Sequence, residues 1–242
     1  MRVDRLQQMN DRELQALLEG EPQQAAIWVR SAAEYGIPAA QVRFGRMLLE
    51  GTGVRRDERS ALAWFMRAAC QGCAEAMNMI GRCHENGWGV PIDLETAATH
   101  YRDSAARGNA WGEYNFGNML FDGRGIDRDL PQALSWYVRA GRRGNGRAMN
   151  LAGRCLEEGW GCRSNRNEAA EWYRRSAETG YFRGQFNYAL VLAECGLATA
   201  AAAWFWRAAI GGNDDTRRRI LGALANTRDP ALAPVAQRIA RL

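Results

Sequence analysis

Apolar and polar positions repeat along this chain in blocks of 36 residues. Within each block two stretches carry apolar residues three and four apart, the spacing of a helix with one buried face. The first stretch predicts helices over 38–50, 74–86, 110–122 and 146–158, and the second over 57–71, 93–107, 129–143 and 165–179. Helices this short are marginal alone, so each must bury its stripe on the next. A helix over 23–35 precedes them in register, because Ala25, Trp28, Ala32 and Ala33 stand 36 residues before Ala61, Trp64, Ala68 and Ala69. Self-similarity at such a period marks a stacked array of repeats.

The breaks share the period. Gly36, Gly72, Gly108, Gly144 and Gly180 separate the blocks, and pairs such as Gly51/Gly53 and Gly87/Gly89 separate the two helices inside each. The first glycine of a pair is expected to end its helix in the left-handed conformation. Asp57, Asp93, Asp129 and Asn165 follow as N-caps of the second helices. Gly45, Gly81, Gly117 and Gly153 fall in mid-helix, where glycine costs about 1 kcal/mol relative to alanine; close helix approach is the expected reason. Val54, Val90, Ile126 and Cys162 are expected to turn into the core. Trp64, Trp136 and Trp172 are expected to be its large plates, with His100 in the same slot.

The ends depart from the period. Asn10 or Asp11 can cap a short helix carrying Leu14, Leu17 and Leu18. The fifth block lacks four residues around its turn and keeps only Gly196. Arg217 to Arg219, with Ile220, Leu221 and Leu224, fit a closing helix, and another is expected from Pro230 to Arg241. The expected organisation is a single repeat domain, 1–242. It has an N-terminal cap and half repeat (1–36), full repeats (37–72, 73–108, 109–144, 145–180), a shortened fifth repeat (181–212) and capping helices (213–242).

Composition narrows the chemistry. The chain carries 32 basic and 27 acidic residues, and every basic one is arginine. Without lysine there is no P-loop, no Ser-x-x-Lys acylation site and no Schiff base. The start, MRVDRLQQMNDREL, lacks the apolar core of a secretory signal, so a reducing cytoplasm is expected. The apolar run 189–210 contains Glu194, Gly196 and Arg207 and reads as two buried helices, with no membrane span expected. Cys70-x-x-Cys73 with Cys83 and His84 has the residue types of a zinc site. The register argues against it: Cys83 fills the apolar slot of Met47, Met119 and Cys155. No metal and no cofactor are expected, and His84 and His100 read as structural.

The pattern A-x-x-x-I-G-x-x-x-x-x-G-x-G-V-x-x-D-x-x-x-A-x-x-x-Y-x-x-x-A-x-x-G, from Ala76 to Gly108, resembles the Sel-one-like repeat, a cousin of the tetratricopeptide repeat. About residues 23–212 follow it. The resemblance implies an all-α, right-handed α/α superhelical solenoid of helix-turn-helix repeats. It further implies a concave groove lined by the first helices and a non-catalytic adaptor role with a protein or peptide partner. Secreted cysteine-rich relatives are associated with β-lactam binding or hydrolysis. They carry paired cysteines in each repeat and a signal peptide; neither is seen here, which argues against that enzyme class, the alternative reading. Nucleic-acid binding is a third class, prompted by Arg217 to Arg219, and the interleaved acidic residues argue against it. An exposed end repeat could pair with its copy.

Helical spacing places a set of first-helix residues away from the helix pair. It comprises Arg46 and Glu50 (with Val42 and Leu49), then Asn78, Arg82 and Glu85, then Trp111, Tyr114, Asn118 and Phe121, then Asn150, Arg154 and Glu157. These are the candidate groove residues. The arginines suit an acidic or C-terminal carboxylate, the asparagines an extended peptide backbone, and Trp111, Tyr114 and Phe121 an apolar anchor. The competing reading is a solvated face with i,i+4 pairs such as Arg46 with Glu50.

Overall fold

The computed structural model describes residues 20–225 and 229–242, so the expected helix at Leu14, Leu17 and Leu18 lies outside the described residues. Thirteen α-helices and no strand occur among the described residues. They are α1 (Pro22–Glu34), α2 (Pro38–Glu50), α3 (Glu58–Cys70), α4 (Ala74–Asn86), α5 (Leu94–Ala106) and α6 (Ala110–Asp122). There follow α7 (Leu130–Arg142), α8 (Gly146–Glu158), α9 (Arg166–Glu178), α10 (Phe182–Glu194), α11 (Ala198–Gly211), α12 (Asp214–Ala225) and α13 (Ala233–Ile239), the last preceded by a 3₁₀ turn at Pro230–Leu232. The chain packs as two compact units, one ending at Arg128 and one beginning at Asp129.

Local chemistry sets these boundaries. The side chains of Asp57, Asp93, Asp129 and Asn165 each accept a backbone N–H three residues on, capping α3, α5, α7 and α9. The backbone N–H of Asp57, Asp93 and Asn165 also donates to a carbonyl in the last turn of the preceding helix, which closes the hairpin. That helix ends at a glycine with positive φ, as at Gly87 (φ 74°). In the fifth repeat Gly196 (φ 75°) alone turns the chain from α10 to α11.

In the first unit, α2 packs on α3 and α4 on α5; in the second, α8 packs on α9 and α10 on α11. The mid-helix glycines permit this. A methyl group at Gly81 would lie 2.7 Å from the Tyr101 ring, and one at Gly45 would lie 2.5 Å from the Phe65 ring. Between repeats, the second glycine of each turn rests on the start of the preceding second helix. Gly89 donates its N–H to Glu58 Oε2 at 3.2 Å, and a methyl group there would lie 2.5 Å from the Glu58 carbonyl oxygen. Gly53 meets Pro22, Gly125 meets Leu94 and Gly161 meets Leu130 in the same way.

The core plates are not the tryptophans. Phe65, Tyr101, Tyr137, Tyr173 and Phe205, each one residue further along, are fully buried. One residue is about 100° around a helix, so Trp64 and Trp136 stand at the edge of the buried stripe, half-exposed. Only Trp172 is buried. Each is covered by an arginine one turn later: Arg67 lies 4.5 Å over Trp64, Arg139 4.1 Å over Trp136, Arg175 4.6 Å over Trp172 and Arg207 4.6 Å over Trp204. The stacked guanidinium seals the apolar edge while its charge stays in water.

The second repeat replaces this whole device. His100 and Asp103 stand where other repeats have tryptophan and arginine, and His84 stands where they have Leu48, Leu120 and Leu156. The two imidazoles stack with centroids 5.9 Å apart and planes at 15°. His84 Nδ1 is buried with no hydrogen-bond partner. Burial, and secondarily the His84 charge, hold His100 below the usual histidine range.

Gly89→Ala combines a positive φ with a backbone clash, whereas Gly72 has a positive φ and open space around it. Gly72→Ala should cost about 1–2 kcal/mol and Gly89→Ala clearly more, read as urea midpoints. His100 protonates more readily unfolded than folded, so its contribution to stability is complete above about pH 6.5 and is lost as pH falls through that value towards the lower folded pKa. Replacing the pair as His84→Leu with His100→Trp should flatten the dependence of the melting temperature on pH between about 5 and 7.

Candidate functional site

In the first unit the outward faces of α2 and α4 enclose a pocket of about 270 Å³, lined by Arg46, Leu49, Glu50, Arg56, Met79, Arg82 and Trp88. Most of its charges are spoken for. Arg46 pairs with Glu75 on α4, not with Glu50 on its own helix. The i,i+4 expectation fails because the neighbouring repeat supplies the nearer carboxylate. Arg56 pairs with Glu58, and Glu50 accepts from Thr52 Oγ1 at 3.4 Å. Arg82 differs. Its guanidinium lies 5.0 Å over the Trp88 ring and makes a 3.7 Å contact to Met79 Sδ, and no carboxylate among the described residues pairs with it. A guanidinium stacked on an indole keeps its in-plane N–H donors available for a carboxylate.

Trp88 is placed by the turn. It sits between Gly87 and Gly89, and its backbone N–H donates to the Cys83 carbonyl at 3.0 Å. The slot reads Thr52, Trp88, Arg124 and Trp160 through the four repeats. A large aromatic between two turn glycines is the signal, and it is absent from the first and third repeats.

Several residues expected on the binding face are interior. Val42 is 2% exposed, Asn78 5% and Asn150 4%. Asn78 Oδ1 accepts from Asn115 Nδ2 at 2.8 Å, and Asn150 Oδ1 accepts from Asn187 Nδ2 at 2.8 Å. These amides tie a first helix to the next one instead of facing outward to a peptide backbone. Glu85 and Glu157 are also engaged inward. Tyr101 donates its hydroxyl to Glu85 at 2.5 Å, and Tyr173 donates to Glu157 at 2.6 Å. Burial first, and the carboxylate beside each second, push both tyrosine hydroxyls well above their usual range. Arg124 completes Glu85 at 2.8 Å.

On α6, Trp111 is 48% exposed and meets Tyr114 edge-on, centroids 5.9 Å apart. Phe121 is half-buried under Arg128, whose Nε donates to the Phe121 carbonyl; Asn118 is half-buried on the same helix. In the second unit Arg154 is exposed and lies 5.1 Å over Trp160. Of the expected site residues, Arg46, Glu50, Arg82, Trp111, Arg154 and Glu157 are exposed, Asn78 and Asn150 are buried, and Glu85, Tyr114, Asn118 and Phe121 are half-buried.

The cysteines follow the register. Cys83 and Cys155 are buried, and burial pushes each thiol up to about 12. No cluster of three metal-ligating side chains occurs among the described residues. Among them, too, no helix is long and apolar enough to cross a membrane.

Solved structures share this architecture. A Sel1 repeat protein from Oxalobacter formigenes matches with TM-score 0.83 and 26% identity, covering 96% of this chain and 98% of its own. A protective antigen of uropathogenic Escherichia coli with an SLR fold matches with TM-score 0.73 and 27% identity over 94% of this chain, which spans only 51% of that protein. An immunity protein from Pseudomonas aeruginosa, 18% identical with TM-score 0.56 over 84% of this chain and 82% of its own, shares the fold. No curated protein matches by sequence. The Sel1 repeat family matches residues 38–73, 74–109, 112–145 and 146–181. Its solenoid fold serves generally as a non-catalytic scaffold for protein interaction. With more than half of its residues in four matched units, this chain belongs to the Sel1 repeat family.

Proposed function

We propose that this protein is a non-catalytic cytoplasmic adaptor that takes a protein or peptide segment on the outer faces of its first helices. The observation that carries this reading is Arg82. It is a cation laid on an exposed-edge tryptophan, at the wall of a 270 Å³ pocket in which the other arginines already have carboxylates. Such a group costs little to desolvate on its indole side and supports a charge-assisted bond of about 1.5–3 kcal/mol to a partner. Trp111 supplies the apolar anchor on α6, half-exposed and held edge-on by Tyr114. Arg46 and Glu50 frame the pocket and favour a partner with a mixed polar surface.

Photo-crosslinking in the native cell tests this. A benzoylphenylalanine at Asn86, exposed in the last turn of α4, should capture a defined protein, and one at Arg102, exposed on α5, should not. Arg82→Glu with Trp111→Ala should abolish the capture while leaving the melting temperature within a few degrees. Equal capture from both positions would move the interaction off the first-helix faces.

A further inference from the structure

The second and fourth repeats match each other more closely than either matches its neighbours. Seventy-two residues apart stand Asn78 and Asn150, Arg82 and Arg154, Cys83 and Cys155, Glu85 and Glu157, Trp88 and Trp160, Tyr101 and Tyr173, and Ser104 and Ser176. Their contacts repeat as well. The guanidinium-to-indole distances are 5.0 and 5.1 Å, and the tyrosine-to-glutamate bonds 2.5 and 2.6 Å. The amide bonds to the following helix are both 2.8 Å, and the serine hydroxyls donate to the Ala74 and Gly146 carbonyls at 2.6 Å each. The first and third repeats have Val42 and Tyr114 for the asparagine, Leu49 and Phe121 for the glutamate, and Thr52 and Arg124 for the tryptophan.

The buried members of this set are explained by packing. Arg154, laid over Trp160, is not, since it keeps its surface and no carboxylate among the described residues pairs with it. We infer that Arg154 with Trp160 forms a second acid-binding site, equivalent to Arg82 with Trp88, so that one protein molecule reads two acidic clusters. This rests on the adaptor reading above. The ligand is a run of acidic side chains, not a C-terminus. A single partner chain has one terminal carboxylate and cannot fill two like sites with it, whereas an acidic cluster can recur within a chain. The two sites differ in charge. Arg124 neutralises Glu85 beside the first, and no arginine among the described residues pairs with Glu157 beside the second. The first site therefore binds more tightly.

The test is a titration of the full chain with an acetylated, amidated tetraglutamate peptide at low salt, followed by NMR. The indole N–H signals of Trp88 and Trp160 are assigned from Trp88→Phe and Trp160→Phe, and the remaining indole signals report that each variant is folded. Both signals should shift to saturation, Trp88 first. Arg82→Ala should remove the Trp88 response and leave that of Trp160, and Arg154→Ala the reverse, each weakening its own site about tenfold or more. Silence of either indole in the wild type overturns the proposal, as does loss of both responses in one single variant. So does a response to a neutral peptide with a free C-terminus but not to tetraglutamate. Crosslinking from Asn86 that survives with silent indoles would remove this inference and keep the adaptor; shifting indoles without a crosslinked partner would do the opposite.

Discussion

Each of the four full repeats is joined to the second helix before it through a backbone-to-backbone contact that tolerates no side chain. The second glycine of the turn sits against the first residues of the preceding second helix, close enough that a methyl group at Gly89 would fall within 2.5 Å of the Glu58 carbonyl oxygen. Everything else in the junction depends on that approach. It brings Glu58 Oε2 onto the Gly89 N–H, and within the first unit α4 lies beside α6. Interior amides such as Asn78 and Asn115 can then meet. Side chains could not set this spacing so narrowly, because a rotamer change absorbs error that a carbonyl contact does not.

Much of the fold was legible because the same backbone demand recurs every 36 residues. Capping aspartates, turn glycines and mid-helix glycines answer local geometry, and they read the same way in each copy. The site was less legible for two reasons. Neighbouring residues on a helix point about 100° apart, so Trp64 and Phe65 exchange roles under a small error in the assumed face. In addition, the partners that engage a polar residue come from the next repeat: Asn115 for Asn78, Arg124 for Glu85, Glu75 for Arg46. A reading that compares one slot across repeats sees what recurs there but not what lies opposite. That is why Asn78 and Glu85 looked like surface and Trp88 was overlooked.

Slots change in concert where they touch. Ser104 donates to the Ala74 carbonyl, and Gly112 makes room for its hydroxyl; Ser176 and Gly184 form the same pair, while Ala68 faces the register of Ala76 and Ala140 that of Ala148. Leucine, tryptophan and arginine give way together to His84, His100 and Asp103. A substitution in one member leaves an unfilled space or an unmatched polar group in the other, so the unit of change is the contact and not the residue.

The fifth repeat has lost its turn pair and keeps Gly196 alone between α10 and α11. It therefore has no second glycine to seat on the start of α9. For a gene that lengthens by copying its own segments, this makes the two ends unequal. A duplicated block inserted among the first four repeats carries a complete turn and can dock at both sides. A copy of the fifth carries no such seat and would dock through side-chain packing, as α10 does on α9.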